Sequence, residues 1–168
     1  MNLALDDRRL RPMTSDDLPE VMALERQAHS HPWSEGIMRD CLKPGYNGKI
    51  LQRQGALLGF GIWTLLLDEC HILNLCIDPG EQRQGHGRYL LHWMLHDARA
   101  QGAALSLLEV RLSNHAAIAL YQGMGYSEIG QRPGYYPARK GREDGLVMAL
   151  DLRSRMGSGL ARISHQTL

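Results

Sequence analysis

The chain has little of what would mark a cross-linked scaffold, a polyanion binder or a membrane protein. Its three cysteines, Cys41, Cys70 and Cys76, include no C-x-x-C pair and leave one over in any disulfide scheme, which suits free thiols in a reducing compartment. Charge of one sign is missing as well. Nineteen Lys and Arg stand against eighteen Asp and Glu, for a net +1 at pH 7. With no long basic run, composition gives no case for nucleic acid or a membrane surface, and any anionic ligand must be held locally. The longest apolar stretch, Ala56 to Leu67, is too short to span a bilayer, and Asp6 and Asp7 interrupt the segment where a signal peptide would need an apolar run. The expectation is a soluble cytoplasmic protein without an internal repeat.

What is there reads as one α/β domain over 1–152, followed by a Ser/Gly/Arg-rich tail over 153–168 that is expected to fray. Thr14 to Asp17 offers capping oxygens, and Leu18, Val21, Met22, Glu25 and Ala28 follow at helical spacing, predicting a helix to about His29. Ser34 is placed to cap a short second helix that Pro44-Gly45 ends. The period then changes. Lys49 to Gln54, Ala56 to Leu67 and Glu69 to Ile77 read as an antiparallel meander. Leu90, Leu91, Met94, Leu95 and Ala98 share one face of a long helix ended by Gly102. Leu105 to Leu112 is expected as a strand, with Ser113 capping a helix over Ala116 to Gln122. Gly125 to Ile129 and Gly145 to Leu150 are expected as closing strands, joined by a loop carrying Arg132, Tyr135, Tyr136 and Pro137. Helices following strands in the second half make the sheet mixed.

Between the strand ending at Asp78 and the long helix lies EQRQGHGR, Glu81 to Arg88. A strand, a glycine-bearing loop and a helix N-terminus together form an anion trap, since backbone N–H groups and the helix dipole both favour negative charge. A tight turn is the plainer reading. The third glycine of a dinucleotide fingerprint is absent, with Leu90 in its place, and the Gly-Lys-Ser/Thr ending of a P-loop is absent too. Gln82-Arg83-Gln84-Gly85-His86-Gly87 instead resembles the Q/R-x-x-G-x-G/A acetyl-CoA signature of the GNAT superfamily of N-acetyltransferases. LNLCIDPGEQRQGHGRYLLHWML (Leu73 to Leu95) and LEVRLSNHAAIALYQGMGY (Leu108 to Tyr126) extend the resemblance. Within the superfamily, HPWSE (His31 to Glu35), LEVRLSNHAAIALY and RPGYYP (Arg132 to Pro137) are similar to the bacterial ribosomal-protein-alanine N-acetyltransferases, the RimI type. The resemblance covers about Leu10 to Leu152. It implies a mixed, mostly antiparallel sheet of about seven strands with about four helices, and direct acetyl transfer within a ternary complex.

It also implies roles for individual residues. Leu75, Cys76 and Ile77 would offer backbone groups to the pantetheine and thioester of acetyl-CoA. Arg83, Gln84, Gly85, His86, Gly87 and Arg88 would meet its phosphates, and Asn114 its pantetheine arm. The Cys76 thiol itself reads as apolar packing rather than a nucleophile. Glu109 interrupts an apolar strand, and from the residues alone a raised-pKa base and a salt bridge to an Arg stand even. The resemblance makes it the general base. Tyr121 by itself is a core residue, and the resemblance makes it the general acid at the departing thiolate. Glu25, Trp33, Tyr135 and Tyr136 would flank the acceptor, a peptide or protein N-terminus, in the family a small-subunit ribosomal protein.

A lysine or small-molecule acceptor, or a CoA-binding module without turnover, remains open at this level. His92 and His96 stand i, i+4, but the Glu of H-E-x-x-H and a third ligand are missing, so both are expected on a solvated face and no metal is expected.

Overall fold

The computed structural model describes residues 6–153. In chain order they form β1 (Arg8–Pro12), α1 (Leu18–Ala28), α2 (Glu35–Asp40), β2 (Tyr46–Arg53), β3 (Ala56–Leu66), β4 (Glu69–Ile77), α3 (His86–Ala100), β5 (Leu105–Arg111), α4 (His115–Met124), β6 (Ser127–Pro137) and β7 (Arg142–Asp151). The seven strands lie in the order β1-β2-β3-β4-β5-β7-β6. β4 and β5 pair in parallel from Glu69↔Leu105 to Ile72↔Leu108. The pairs β1 with β2, β2 with β3, β5 with β7 and β6 with β7 are antiparallel. This is the expected mixed α/β sheet with four α-helices among the described residues. Its contacts define two compact units, one holding residues 6–64 with Leu73–Leu91, the other Leu65–Ile72 with residues 92–153.

In the first unit, the expected start of α1 is secured from outside the helix. The Asp17 carboxylate accepts the Thr14 backbone N–H at 2.8 Å and the two terminal guanidinium nitrogens of Arg11 at 2.6 and 2.8 Å. The helix buries Leu18, Val21, Met22, Leu24 and Glu25. Those apolar side chains join Met13, Met38, Ile50, Phe60, Ile62 and Cys76 in one core, each large one contributing about 1.5–3 kcal/mol by leaving water. Ser34 caps α2 as expected, its hydroxyl accepting the Ile37 N–H at 3.2 Å. Along β4, Cys70, Ile72, Asn74 and Cys76 alternate inward. Gly59 of β3 permits the approach to β4, because a Cβ there would stand 2.5 Å from the Cys76 carbonyl oxygen.

In the second unit, Ser106, Leu108 and Val110 form the buried face of β5, which leaves Glu109 on the opposite face. The buried Tyr126 hydroxyl lies 2.7 Å from Ser106 Oγ. Three expectations are corrected here. α4 is capped by Asn114, whose Oδ1 accepts the Ala117 N–H at 3.2 Å, and not by Ser113. The loop expected to carry Arg132, Tyr135, Tyr136 and Pro137 is strand, since β6 runs on to Pro137 with its register broken between Arg132 and Tyr136. Gly134, at φ 58°, makes that break, and Asp144 and Arg142 hold it by accepting the Gly134 N–H and donating to the Tyr135 carbonyl, each at 2.8 Å. His92 and His96 are part-buried rather than solvated. Their rings stack edge-on against Trp93 at 5.5 and 5.1 Å. Leu152 is fully buried and Arg153 is paired with Asp151 at 2.9 Å. The rest of the expected tail lies outside the described residues.

All three cysteines are free and buried. Among the described residues no helix is long and apolar enough to cross a membrane.

Candidate active site

Of the residues singled out in the sequence, Glu25, Trp33, Leu75, Cys76, Ile77 and the loop through Arg88 belong to the first unit. Glu109, Asn114, Tyr121, Tyr135 and Tyr136 belong to the second.

β4 delivers the chain to the glycine loop through two side-chain clamps. Asp78 accepts the Gly80 N–H at 2.8 Å, and the Gln82 amide donates to the Ile77 carbonyl at 3.3 Å. Residues 82–85 are then exposed, with Arg83 and Gly85 in the left-handed region at φ 62° and 81°. For Arg83 that conformation costs about 1 kcal/mol or more, a strain characteristic of ligand-binding loops. A Cβ on Gly85 would meet nothing within 4 Å, so the main chain faces open space at the point where α3 begins. N–H groups of a helix's first turn have no acceptor within the helix, and here they follow an exposed glycine. The loop therefore fits a phosphate group.

The His86 side chain does not join the cradle. Its side chain is 2 % exposed and turned inward, with Nδ1 3.5 Å from Arg8 Nη1 and Nε2 3.6 Å from Glu81 Oε2. Burial, and then the neighbouring Arg8 and Arg53, push its pKa down. Arg8 in turn lies over the Tyr89 ring at 3.8 Å. His86 thus ties the first turn of α3 to β1, and the exposed members of the loop are Gln82, Arg83, Gln84, Gly85 and Arg88.

In the second unit, Glu109 is half-buried and forms the ion pair with an arginine that the sequence left open. Its Oε1 lies 2.6 Å from Arg132 Nε, and Tyr135 is hydrogen-bonded to it. That hydrogen bond to a carboxylate raises the Tyr135 pKa. The Tyr136 ring stands edge-on to Tyr135 at 4.9 Å, with the Arg111 guanidinium over it at 4.6 Å. Tyr121 is 8 % exposed, and burial raises its pKa to about 12. Its phenol therefore holds its proton throughout the physiological range. Asn114 spends its side-chain oxygen on the α4 cap.

Glu25 is 1 % exposed, and its carboxylate accepts the Trp33 backbone N–H at 3.1 Å and the Asn74 amide at 3.0 Å. These bonds fix the turn after α1 against β4. Asn74 and Arg132 were not among the predicted site residues. Asn74 had a signal, a polar residue at an inward position of an alternating strand. Arg132 had none, since nothing local marks it as the partner of Glu109.

A glycine-bearing loop that runs from a strand into a helix N-terminus suits a phosphate-bearing cofactor such as an acyl-CoA. Residues 16–126 match the family model described as Acetyltransferase (GNAT) family, and the chain belongs to that family. The chain is 40 % identical over 140 residues to the [Ribosomal protein bS18]-alanine N-acetyltransferase of Escherichia coli strain K12, covering 83 % of this chain and 95 % of that one. The enzyme so named in Haemophilus influenzae is 35 % identical over 134 residues, with coverage of 79 % and 91 %. The crystal structure of the Escherichia coli ribosomal-protein-S18-alanine N-acetyltransferase superposes with a TM-score of 0.81 at 39 % identity, covering 86 % of this chain and 93 % of that one.

Proposed function

We propose that the protein transfers acetyl from acetyl-CoA to the N-terminal α-amine of alanine on ribosomal protein bS18, in the cytoplasm, directly and within a ternary complex. The observation that carries this reading is the 40 % identity to a relative named for that reaction, across 95 % of the relative's length. Acetyl-CoA would supply an acyl group activated as a thioester. The exposed stretch Arg83 to Gly85, with Gly87 and Arg88 in the first turn of α3, would hold its phosphates. The main chain of Leu75, Cys76 and Ile77 would align the rest of the arm, and Asn114 would add a contact.

The remaining requirements fall on Glu109 and Tyr121. An α-amine has a pKa near 8, so at neutral pH it must lose a proton before it attacks. Glu109 takes that proton, directly or through water. Arg132 on Oε1 keeps the carboxylate fixed in orientation. Tyr121, whose buried phenol keeps its proton, would serve as the general acid that meets the charge developing on the leaving sulfur. Tyr135 and Tyr136, grouped with Glu109 in the second unit, would border the acceptor.

The test is thiol release from acetyl-CoA with two peptides, one bearing a free N-terminal alanine, the other N-terminally blocked with an internal lysine. Turnover on the first alone is expected. Turnover on the blocked peptide would replace the α-amine by lysine as acceptor, and silence on both would remove the peptide acceptor altogether.

A further inference from the structure

α1, the residue that ends it and β4 bring together three side chains that acetyl transfer does not use as a set. Glu25, His29 and Cys76 each offer a ligand atom, and these atoms all lie within 4.8 Å of one another. Glu25 and Cys76 are buried, while the His29 side chain is 37 % exposed and forms the open side of the cluster. His29 Nε2 stands 3.5 Å from Glu25 Oε2. That atom is out of contact with solvent and has no hydrogen-bond partner, an arrangement that native structures seldom leave unexplained.

The 3.5 Å separation suits two ligands of one ion better than a hydrogen bond. Nitrogen and oxygen bound to tetrahedral zinc at 2.0–2.2 Å stand about 3.3–3.5 Å apart, and a sulfur at 2.3 Å stands slightly farther. The three ligand atoms, all within 4.8 Å of one another, need only small side-chain shifts to reach such separations. The outer contacts are also in place. Glu25 is oriented by the Trp33 N–H and the Asn74 amide, bonds of the kind that hold a ligating carboxylate in position, and each of its oxygens retains a lone pair.

We propose that Glu25, His29 and Cys76 form a binding site for a borderline-soft divalent cation, zinc foremost, with three protein ligands and an open fourth position. Thiolate with imidazole selects zinc-like ions over calcium and magnesium, which prefer all-oxygen shells. On binding, the Cys76 S–H bond is replaced by a sulfur–metal bond, and the proton passes to solvent.

The site is read by binding alone, independently of any acetyl acceptor. Tag-free protein, stripped with chelator and kept reduced, is titrated with Co²⁺. The expected result is one equivalent bound with a near-ultraviolet thiolate-to-cobalt charge-transfer band, bleached by Zn²⁺. Cys76→Ala abolishes the band and Cys70→Ala retains it. His29→Ala, at a partly exposed position outside the core, weakens Co²⁺ binding by about tenfold or more with an unchanged far-ultraviolet dichroism spectrum. That variant decides the matter should Cys76→Ala fail to fold. Absence of the thiolate band at stoichiometric Co²⁺, or its survival in Cys76→Ala, or undiminished binding by His29→Ala, overturns the proposal.

Discussion

Glu109 and Tyr121 are both carried by the second unit, and each has a packing role that must be separated from its chemical one. Glu109 is in an ion pair whose Arg132 side chain is 55 % exposed, so Glu109→Gln costs under about 1 kcal/mol of stability. The same change lowers kcat/KM by about 10² or more at neutral pH. Activity recovers partly above pH 8, where the acceptor amine loses its proton without help. A pH–rate profile parallel to that of the wild type would take the base role from this residue. For Tyr121→Phe the expected result is a fall in kcat with the affinity for acetyl-CoA unchanged in equilibrium dialysis. An equal loss of affinity would make Tyr121 a packing residue. Glu109 was legible in the sequence as a charge inside an apolar strand. Its partner was not, because the ion pair exists only once β5 and β6 have both paired with β7, which lies between them.

Elements were legible where local periodicity and capping agree with burial. α1 and α3 carry apolar stripes, Ser34 caps α2, and β3 and β4 are apolar or alternating, so their bounds follow from the residues. β1 escaped notice because three arginines and a proline occupy five positions, and only pairing with β2 makes it a strand. The second half of β6 escaped because it is exposed along most of its length and is held by Arg142 and Asp144 from β7, contacts that no local pattern announces. Gly59 is the point where the cofactor strand depends on its neighbour. Gly59→Ala places a methyl group 2.5 Å from a backbone oxygen and 2.6 Å from the Ile77 side chain, and backbone has little room to yield. The expected cost is about 1–3 kcal/mol in urea unfolding. It comes with a KM for acetyl-CoA raised more than kcat is lowered, because the displaced segment is Cys76–Ile77. Unchanged unfolding and KM would show that the two strands separate freely there.

Across the whole molecule, buried neutral acids set the alkaline limit. Burial raises Tyr121 from 10.0 to about 12, Cys70 and Cys76 from 9.0 to about 12, and Tyr126 above its ordinary value. The folded state therefore keeps protons that the unfolded chain releases. This stability is complete below pH 9 and is lost as pH rises toward 12. Tyr121 alone accounts for about 3 kcal/mol of that loss, since a tenfold change in proton affinity is worth about 1.4 kcal/mol. Urea midpoints should be level from pH 7 to about 8.5 and fall steadily beyond it, and a midpoint that held to pH 11 would contradict the burial of these groups. With Cys41, Cys70 and Cys76 all buried, the native enzyme is expected to be silent toward aromatic disulfide reagents. A coloured thiol assay then counts only coenzyme released by turnover, until a molecule opens and adds three equivalents of its own. Followed without substrate, that slow colour is a clock for spontaneous opening, timing how often the interior of each unit meets water.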